Sequence, residues 1–158
     1  MDPHLKEYLT KHHISYELHE HPAVFTVEQS TKLKLNVPGL HTKNLFLKDE
    51  HAHFYLMSMS AEKRLDLKKL KQYLQVKHLS FGSPEELKGE LNLTPGSVSL
   101  FGMVHATNTQ LLLDKDVWNA ATVGFHPNIN TATLVLSHAS LEKFCKSLVA
   151  RWEVYDDA

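Results

Sequence analysis

The run Thr42-Lys43-Asn44-Leu45-Phe46-Leu47-Lys48-Asp49-Glu50-His51-Ala52-His53-Phe54-Tyr55-Leu56-Met57-Ser58-Met59-Ser60 constrains the fold more than any other part of the chain. Two apolar-rich segments, Asn44–Lys48 and His53–Ser58, flank the polar Asp49-Glu50-His51, which is the pattern of a β-hairpin. The chain therefore contains at least one antiparallel strand pair and is not all-helical. Around that pair, helical signals recur. Asp2 followed by Pro3 starts a helix, because Asp caps and Pro needs no amide partner in the first turn. Leu5, Tyr8 and Leu9 carry that helix to about His12. Leu65, Leu67, Leu70 and Leu74 sit at helical spacing among lysines. Ser83-Pro84-Glu85-Glu86 has a cap, Pro at the first position and Glu at the third.

Other segments read as strands or turns. Ser15–His19, Ser97–Phe101, Leu111–Leu113 and Thr131–Leu136 are strand candidates, and Thr94-Pro95-Gly96 is a turn. Thr26 and Gln29 resemble a capping box for a helix that Pro38-Gly39 ends. Gly124-Phe125-His126-Pro127-Asn128 is a loop rich in turn formers, and Ser140 caps a last helix carrying Leu141, Phe144, Cys145 and Leu148. Strands and helices alternate without a regular β-α-β rhythm. The expected fold is α+β: one compact domain, residues 1–158, with a mixed, mostly antiparallel sheet flanked by helices.

Composition narrows function by exclusion. At 158 residues the chain matches one domain on a prior of roughly 100–200 residues each. Seventeen Lys and Arg against eighteen Asp and Glu exclude a polybasic binder while permitting a local basic patch. The run Lys63, Arg64, Lys68, Lys69, Lys71 and Lys77 is read mostly as a solvated helix face, and Asp156-Asp157 as a solvated tail. A single cysteine, Cys145, permits no internal disulfide and fits a reducing compartment, the cytoplasm. No apolar run reaches the roughly 18 residues of a membrane span. Twelve histidines stand out. His19 with His21, and His51 with His53, share strand faces by their spacing, but no His-Glu-x-x-His or Cys-x-x-Cys pattern accompanies them, so no metal is expected. Cys145 lies on an apolar helix face, and no nucleophile elbow or phosphate loop is present.

Two segments remain as carriers of chemistry. Lys43 and Asn44 are polar intrusions into an apolar strand, and Gly124 to Pro127 frame a histidine between backbone-fixing residues. Taken singly, each has an ordinary explanation, a snorkelling surface lysine and a connecting turn. Taken together, His41-Thr42-Lys43-Asn44-Leu45-Phe46-Leu47-Lys48-Asp49, the Gly124-Phe125-His126-Pro127 loop and the Leu93–Gly102 stretch between them resemble the YbaK/prolyl-tRNA synthetase editing-domain family. His21-Pro22-Ala23-Val24-Phe25-Thr26-Val27 also fits, so the resemblance spans nearly the whole chain. The Thr-Lys-Asn-Leu run favours the free-standing, PrdX-like branch that deacylates alanyl-tRNA(Pro).

The resemblance implies a metal-independent, cofactor-free hydrolase of the aminoacyl ester, assisted by a ribose hydroxyl of the substrate. It implies catalytic roles for Lys43, Asn44, Gly124 and His126, with Thr42, Phe125 and Pro127 against the substrate. Phe25, Val27, Leu47 and Phe101 are expected pocket residues by their nearness to the motifs. Amides of a Gly124–His126 turn are expected to face the oxyanion. The implied partners are the acceptor end of tRNA(Pro), with prolyl-tRNA synthetase or an elongation factor as further candidates, and no membrane. Three other readings stay open: a deacylase for another ester such as cysteinyl-tRNA(Pro), a non-catalytic module binding tRNA or a synthetase, and a histidine-mediated metal-binding protein that metal analysis would detect.

Overall fold

The computed structural model describes residues 1–23 and 37–157. The expected helix from Thr26 and the pocket candidates Phe25 and Val27 lie outside the described residues. Helix α1 spans Pro3–Lys11, capped by Asp2, whose carboxylate accepts from His4 N at 3.0 Å. Strand β1 (Glu17–Glu20) follows, then β2 (Leu40–Asp49) and β3 (Phe54–Ser60), the hairpin read from the sequence. Its turn is held by Asp49, which accepts from His51 N at 2.8 Å, His53 N at 3.0 Å and the Tyr55 hydroxyl at 2.8 Å.

Helix α2 is Leu67–Leu74, strand β4 is Leu79–Phe81 and helix α3 is Pro84–Leu91, opened by the Ser83/Glu86 capping box. A 3-10 helix covers Leu100–His105. The remainder is β5 (Thr109–Asp114), α4 (Lys115–Asn119), β6 (Thr122–Phe125), β7 (Ala132–Ser137), α5 (His138–Ser147) and β8 (Trp152–Tyr155).

The strands form a mixed sheet in the order β1-β7-β6-β2-β3-β5-β8, with β4 alongside the far end of β2. Antiparallel pairs are β1–β7, β6–β7, β2–β3 and β2–β4; β2–β6, β3–β5 and β5–β8 are parallel. Strand β2 is shared. Its first residues pair with β6 (His41 opposite Gly124), and its last pair with β4. Gly39 makes the entry to β2 feasible, because its φ is +90° and a Cβ there would meet Thr122 Oγ1 at 2.8 Å.

Alternation along the strands divides the packing. Phe46, Leu56, Leu111, Leu113, Val123, Phe125, Leu134 and Leu136 face the larger core, with Leu5, Leu9, Leu91, Phe101, Phe144 and Cys145 from the helices. Leu47, Tyr55, Met57, Met59 and Leu112 face the other side, against Leu70 of α2.

Four local expectations are corrected. Ser97–Phe101 is no strand; Ser99 instead caps the 3-10 helix, accepting from Phe101 N at 3.2 Å. Gly124 and Phe125 belong to β6, so the loop starts only at His126. The last helix is capped by Ser137, which accepts from Ser140 N, and Ser140 lies within it. Asp156 and Asp157 are paired: Lys115 reaches Asp156 at 3.1 Å, and Lys63 reaches Asp157 at 3.3 Å together with the buried Asp114 at 2.9 Å. Lys63 is thus no solvated lysine. Among the described residues, no helix is long and apolar enough to cross a membrane.

Candidate active site

Where β2 leaves β6, one sheet face turns polar. Thr42 extends the interrupted ladder with its side chain, donating from Oγ1 to the Gly124 carbonyl at 2.7 Å. Lys43 pairs across β3 with Met59 and, by alternation, shares a face with Leu45 and Leu47 at one end and with His41 at the other. His41 lies opposite Gly124, and a Cβ on Gly124 would stand 3.0 Å from Thr133 Cγ2. His21, His41, Lys43, Gly124, His126 and Thr133 are therefore gathered on one side of the sheet. Among the described residues Lys43 has no hydrogen-bond or ion-pair partner. An ammonium that meets no counter-charge among the described residues is a candidate for binding an anion.

Each histidine is fixed by a carbonyl, and a carbonyl can only accept, so the tautomers follow. His126 donates from Nδ1 to Ala132 O at 3.0 Å, which leaves Nε2 as the outward nitrogen. His41 donates from Nε2 to Val37 O at 2.9 Å. His21 donates from Nδ1 to Pro22 O at 2.8 Å, and its Nε2 lies 2.9 Å from Thr133 Oγ1. The His21 and His126 rings stand edge to face at 6.1 Å. Burial, with a smaller contribution from the neighbouring His21 and His41 rings, holds the His126 pKa below its ordinary 6.5 against the opposing pull of the Ala132 carbonyl. His126 is neutral at pH 7, with a lone pair on Nε2. Among the described residues no three His, Cys, Asp or Glu side chains converge as a metal cage would require.

The loop after β6 has the residue order of a type II turn: Pro127, then Asn128 at a φ of +62°. Among the described residues, the backbone amides of Asn128, Ile129 and Asn130 donate no hydrogen bond. A cavity of about 210 Å³ opens beside the site, lined by Gly39, Leu40, His41, Ser60, Ala61 and Glu62. A larger cleft of about 670 Å³ lies at the opposite end of β3 and β5, among Phe54, Asn108 and Arg151, away from these groups.

Several expected site residues are placed elsewhere. Leu47 is 1% exposed in the second core, and Phe101 and Phe125 are 0% and 1% exposed in the first, with their rings edge to face at 5.8 Å. All three pack the protein rather than line a pocket. Pro127 is buried and shapes the loop. Asn44 lies on the opposite sheet face from Lys43, paired with Ser58, and its Oδ1 is buried without a partner. Cys145 is fully buried, and burial pushes its thiol up to about 12, which leaves it inert as a nucleophile. Thr133 and Ser99, both buried, join the site through hydrogen bonds to His21 and to the His126 carbonyl. Their sequence context is that of ordinary strand and turn residues, so no local signal marks them.

A family model described as the aminoacyl-tRNA editing domain matches residues 21–144, which includes every group on the polar face. The chain belongs to the aminoacyl-tRNA editing domain family. This editing domain is 36% identical over 137 residues to the prolyl-tRNA editing protein ProX of Acetoanaerobium sticklandii, covering 85% of this chain and 84% of that one. It is 29% identical over 144 residues to prolyl-tRNA synthetase associated domain-containing protein 1 of Danio rerio, covering 89% and 78%. Its fold matches the crystal structure of a proposed trans-editing enzyme for prolyl-tRNA synthetase with a TM-score of 0.74, covering 99% and 97% of the two chains at 22% identity. At that identity the match speaks for the fold alone.

Proposed function

We propose that this editing domain is a deacylase that corrects mischarged tRNA(Pro), with alanyl-tRNA(Pro) as its substrate. The observation that carries the reading is the Lys43 ammonium, without a partner among the described residues, on the polar face shared with Gly124 and His126, in a chain 36% identical to a prolyl-tRNA editing protein. Lys43 holds the terminal phosphate or ribose of the acceptor end as a point charge. Water attacks the ester carbonyl, the ester C–O bond breaks, and the proton passes to the departing ribose oxygen. An aminoacyl ester is already activated, so orientation and a few aimed donors suffice without a protein nucleophile.

Two details follow from the geometry. Gly124 and Phe125 sit in a strand, so the oxyanion donors are assigned to the amides after Pro127, which donate no hydrogen bond among the described residues, rather than to Gly124–His126. The neutral Nε2 of His126 accepts from a ribose hydroxyl or from the α-ammonium of the aminoacyl group. Such a site serves as a second sieve. A synthetase pocket sized for proline gains only ~1–3 kcal/mol against alanine, so discrimination is completed by separate hydrolysis. The names of the relatives support the tRNA(Pro) acceptor end as ligand and prolyl-tRNA synthetase as a partner.

The deciding experiment incubates purified protein, without added metal, with alanyl-, cysteinyl- and prolyl-tRNA(Pro), beside Lys43→Ala. Loss of alanine alone, abolished in the variant, is the expected result. Loss of cysteine instead moves the substrate and keeps the deacylase. Binding without hydrolysis of any of the three overturns the enzyme and leaves a tRNA-binding module.

A further inference from the structure

We infer that Ser99 is a positioning residue that holds His126 in place from behind, an inference that rests on the deacylase reading of the site. Ser99 is 0% exposed. Its Oγ accepts from Phe101 N at 3.2 Å, which takes up a lone pair and leaves the hydroxyl proton for the His126 carbonyl, to which it donates. The peptide bond that follows His126 leads into Pro127 and carries no N–H. The carbonyl oxygen is therefore the sole hydrogen-bonding handle on that peptide plane, and Ser99 occupies it.

The same segment grips the neighbouring residue. Phe101, capped by Ser99, packs edge to face on Phe125 at 5.8 Å. The His126 ring is separately fixed by Nδ1 donating to Ala132 O at 3.0 Å. Backbone and ring are thus held by two independent elements, the 3-10 helix cap and β7, and Nε2 alone is left for substrate. Without the Ser99 hydroxyl, the His126–Pro127 plane loses its one hydrogen bond, and the ring is left with the Ala132 contact alone to fix its position. This gives the Leu93–Gly102 stretch a role in the site through Ser99 and Phe101.

The test pairs kinetics with NMR on the intact chain. Ser99→Ala is expected to lower kcat on alanyl-tRNA(Pro) about 10- to 100-fold while KM changes less than about twofold. In a His126→Ala background the same change should cost less than about twofold, because both act through one ring. An equal loss in both backgrounds overturns the inference. Ser83→Ala, which removes a cap remote from the site, serves as the control for general destabilisation and should leave kcat unchanged. Nitrogen shifts of the His126 ring should move in Ser99→Ala and stay fixed in Ser83→Ala; an unmoved ring again overturns it. Should Ser99→Ala fail to fold, the wild type decides: a slowly exchanging Ser99 hydroxyl proton with a nuclear Overhauser contact to His126 supports the link, and fast exchange refutes it. If wild-type protein hydrolyses no ester, the deacylase reading fails by itself, and the ring shifts still report on Ser99 and His126.

Discussion

Lys43 and Lys48 stand on one strand and have opposite circumstances. Lys48 reaches both oxygens of Glu86, at 3.2 and 3.0 Å, and that carboxylate in turn accepts from Ser83 N in a capping box. Nearby Asp49 accepts three hydrogen bonds. At this end of β2 polar groups are spent on the architecture. At the other end, Lys43 has no partner among the described residues, Asn44 Oδ1 is buried and unpaired, and three histidines are held in fixed tautomers. The contrast is one of circumstance within a single residue type: Lys48 is tied to a counter-charge, and Lys43 meets none among the described residues, which is why the proposed function rests on Lys43.

The sharpest way to break the comparison is to truncate both lysines. Lys43→Ala should lower deacylation about 100-fold or more, as loss of one aimed donor does, with little change in melting temperature. Lys48→Ala should lower the melting temperature slightly and leave kcat/KM near wild type. Reversed effects would mean that the assignment of the two ends is wrong.

Asp49→Ala probes the architectural end more deeply. It should cost about 2–3 kcal/mol in urea unfolding, since the amides of His51 and His53 and the Tyr55 hydroxyl lose a charged acceptor. Burial raises the Asp49 pKa, but those three donors more than offset it and hold it below its ordinary 3.8. A depressed carboxylate stabilises above its unfolded pKa and loses that stability as pH falls through the folded value. Asp49→Asn should therefore flatten the acid limb of stability below pH 3.8. An unchanged limb would remove Asp49 from the account.

At the site end, Thr42→Val removes the bond to the Gly124 carbonyl and should cost about tenfold in kcat/KM, near 1.4 kcal/mol. His126 supplies a smaller, pH-dependent effect. Its folded pKa lies below the unfolded 6.5, so the unfolded chain binds the proton first as pH falls. Stability from neutral His126 is complete above pH 6.5 and declines as pH drops toward the folded value. Activity should fall at lower pH than 6.5, as the folded ring itself takes up the proton, and His126→Asn should abolish both dependences; a profile unaltered by that change would exclude the ring.

Much of this was legible in the residues, for local reasons. Asp2-Pro3, Ser83 with Glu86, and the Asp49–His53 turn all write their structure within a few positions, and each appears as read. Ser97–Phe101 misled because its apolar alternation suits a strand, while the Ser99 hydroxyl bonds a nearby amide and curls the chain into a helix. β8 was missed because its partner is the distant β5, and the tail aspartates because their lysines lie far back in sequence. Lys43 and His126 are singled out by their motifs, and the structure brings both to one side of the sheet. No motif marks Thr133, since its role depends on His21, 112 positions away.

That separation has a consequence for synthesis. The β2–β3 hairpin, Lys43 included, is complete early, but the face around it requires β6 and β7, and among the described residues β1 has no strand partner until β7 arrives. At roughly 5–20 residues per second, the ribosome spends several seconds between making the lysine and making the strand that sets the histidines around it. A nascent chain therefore carries the charge without the catalyst. Pairings of such long range also make sheet closure a slow step in folding. The polar face around Lys43 is therefore complete only after β7, at Ser137, has been made.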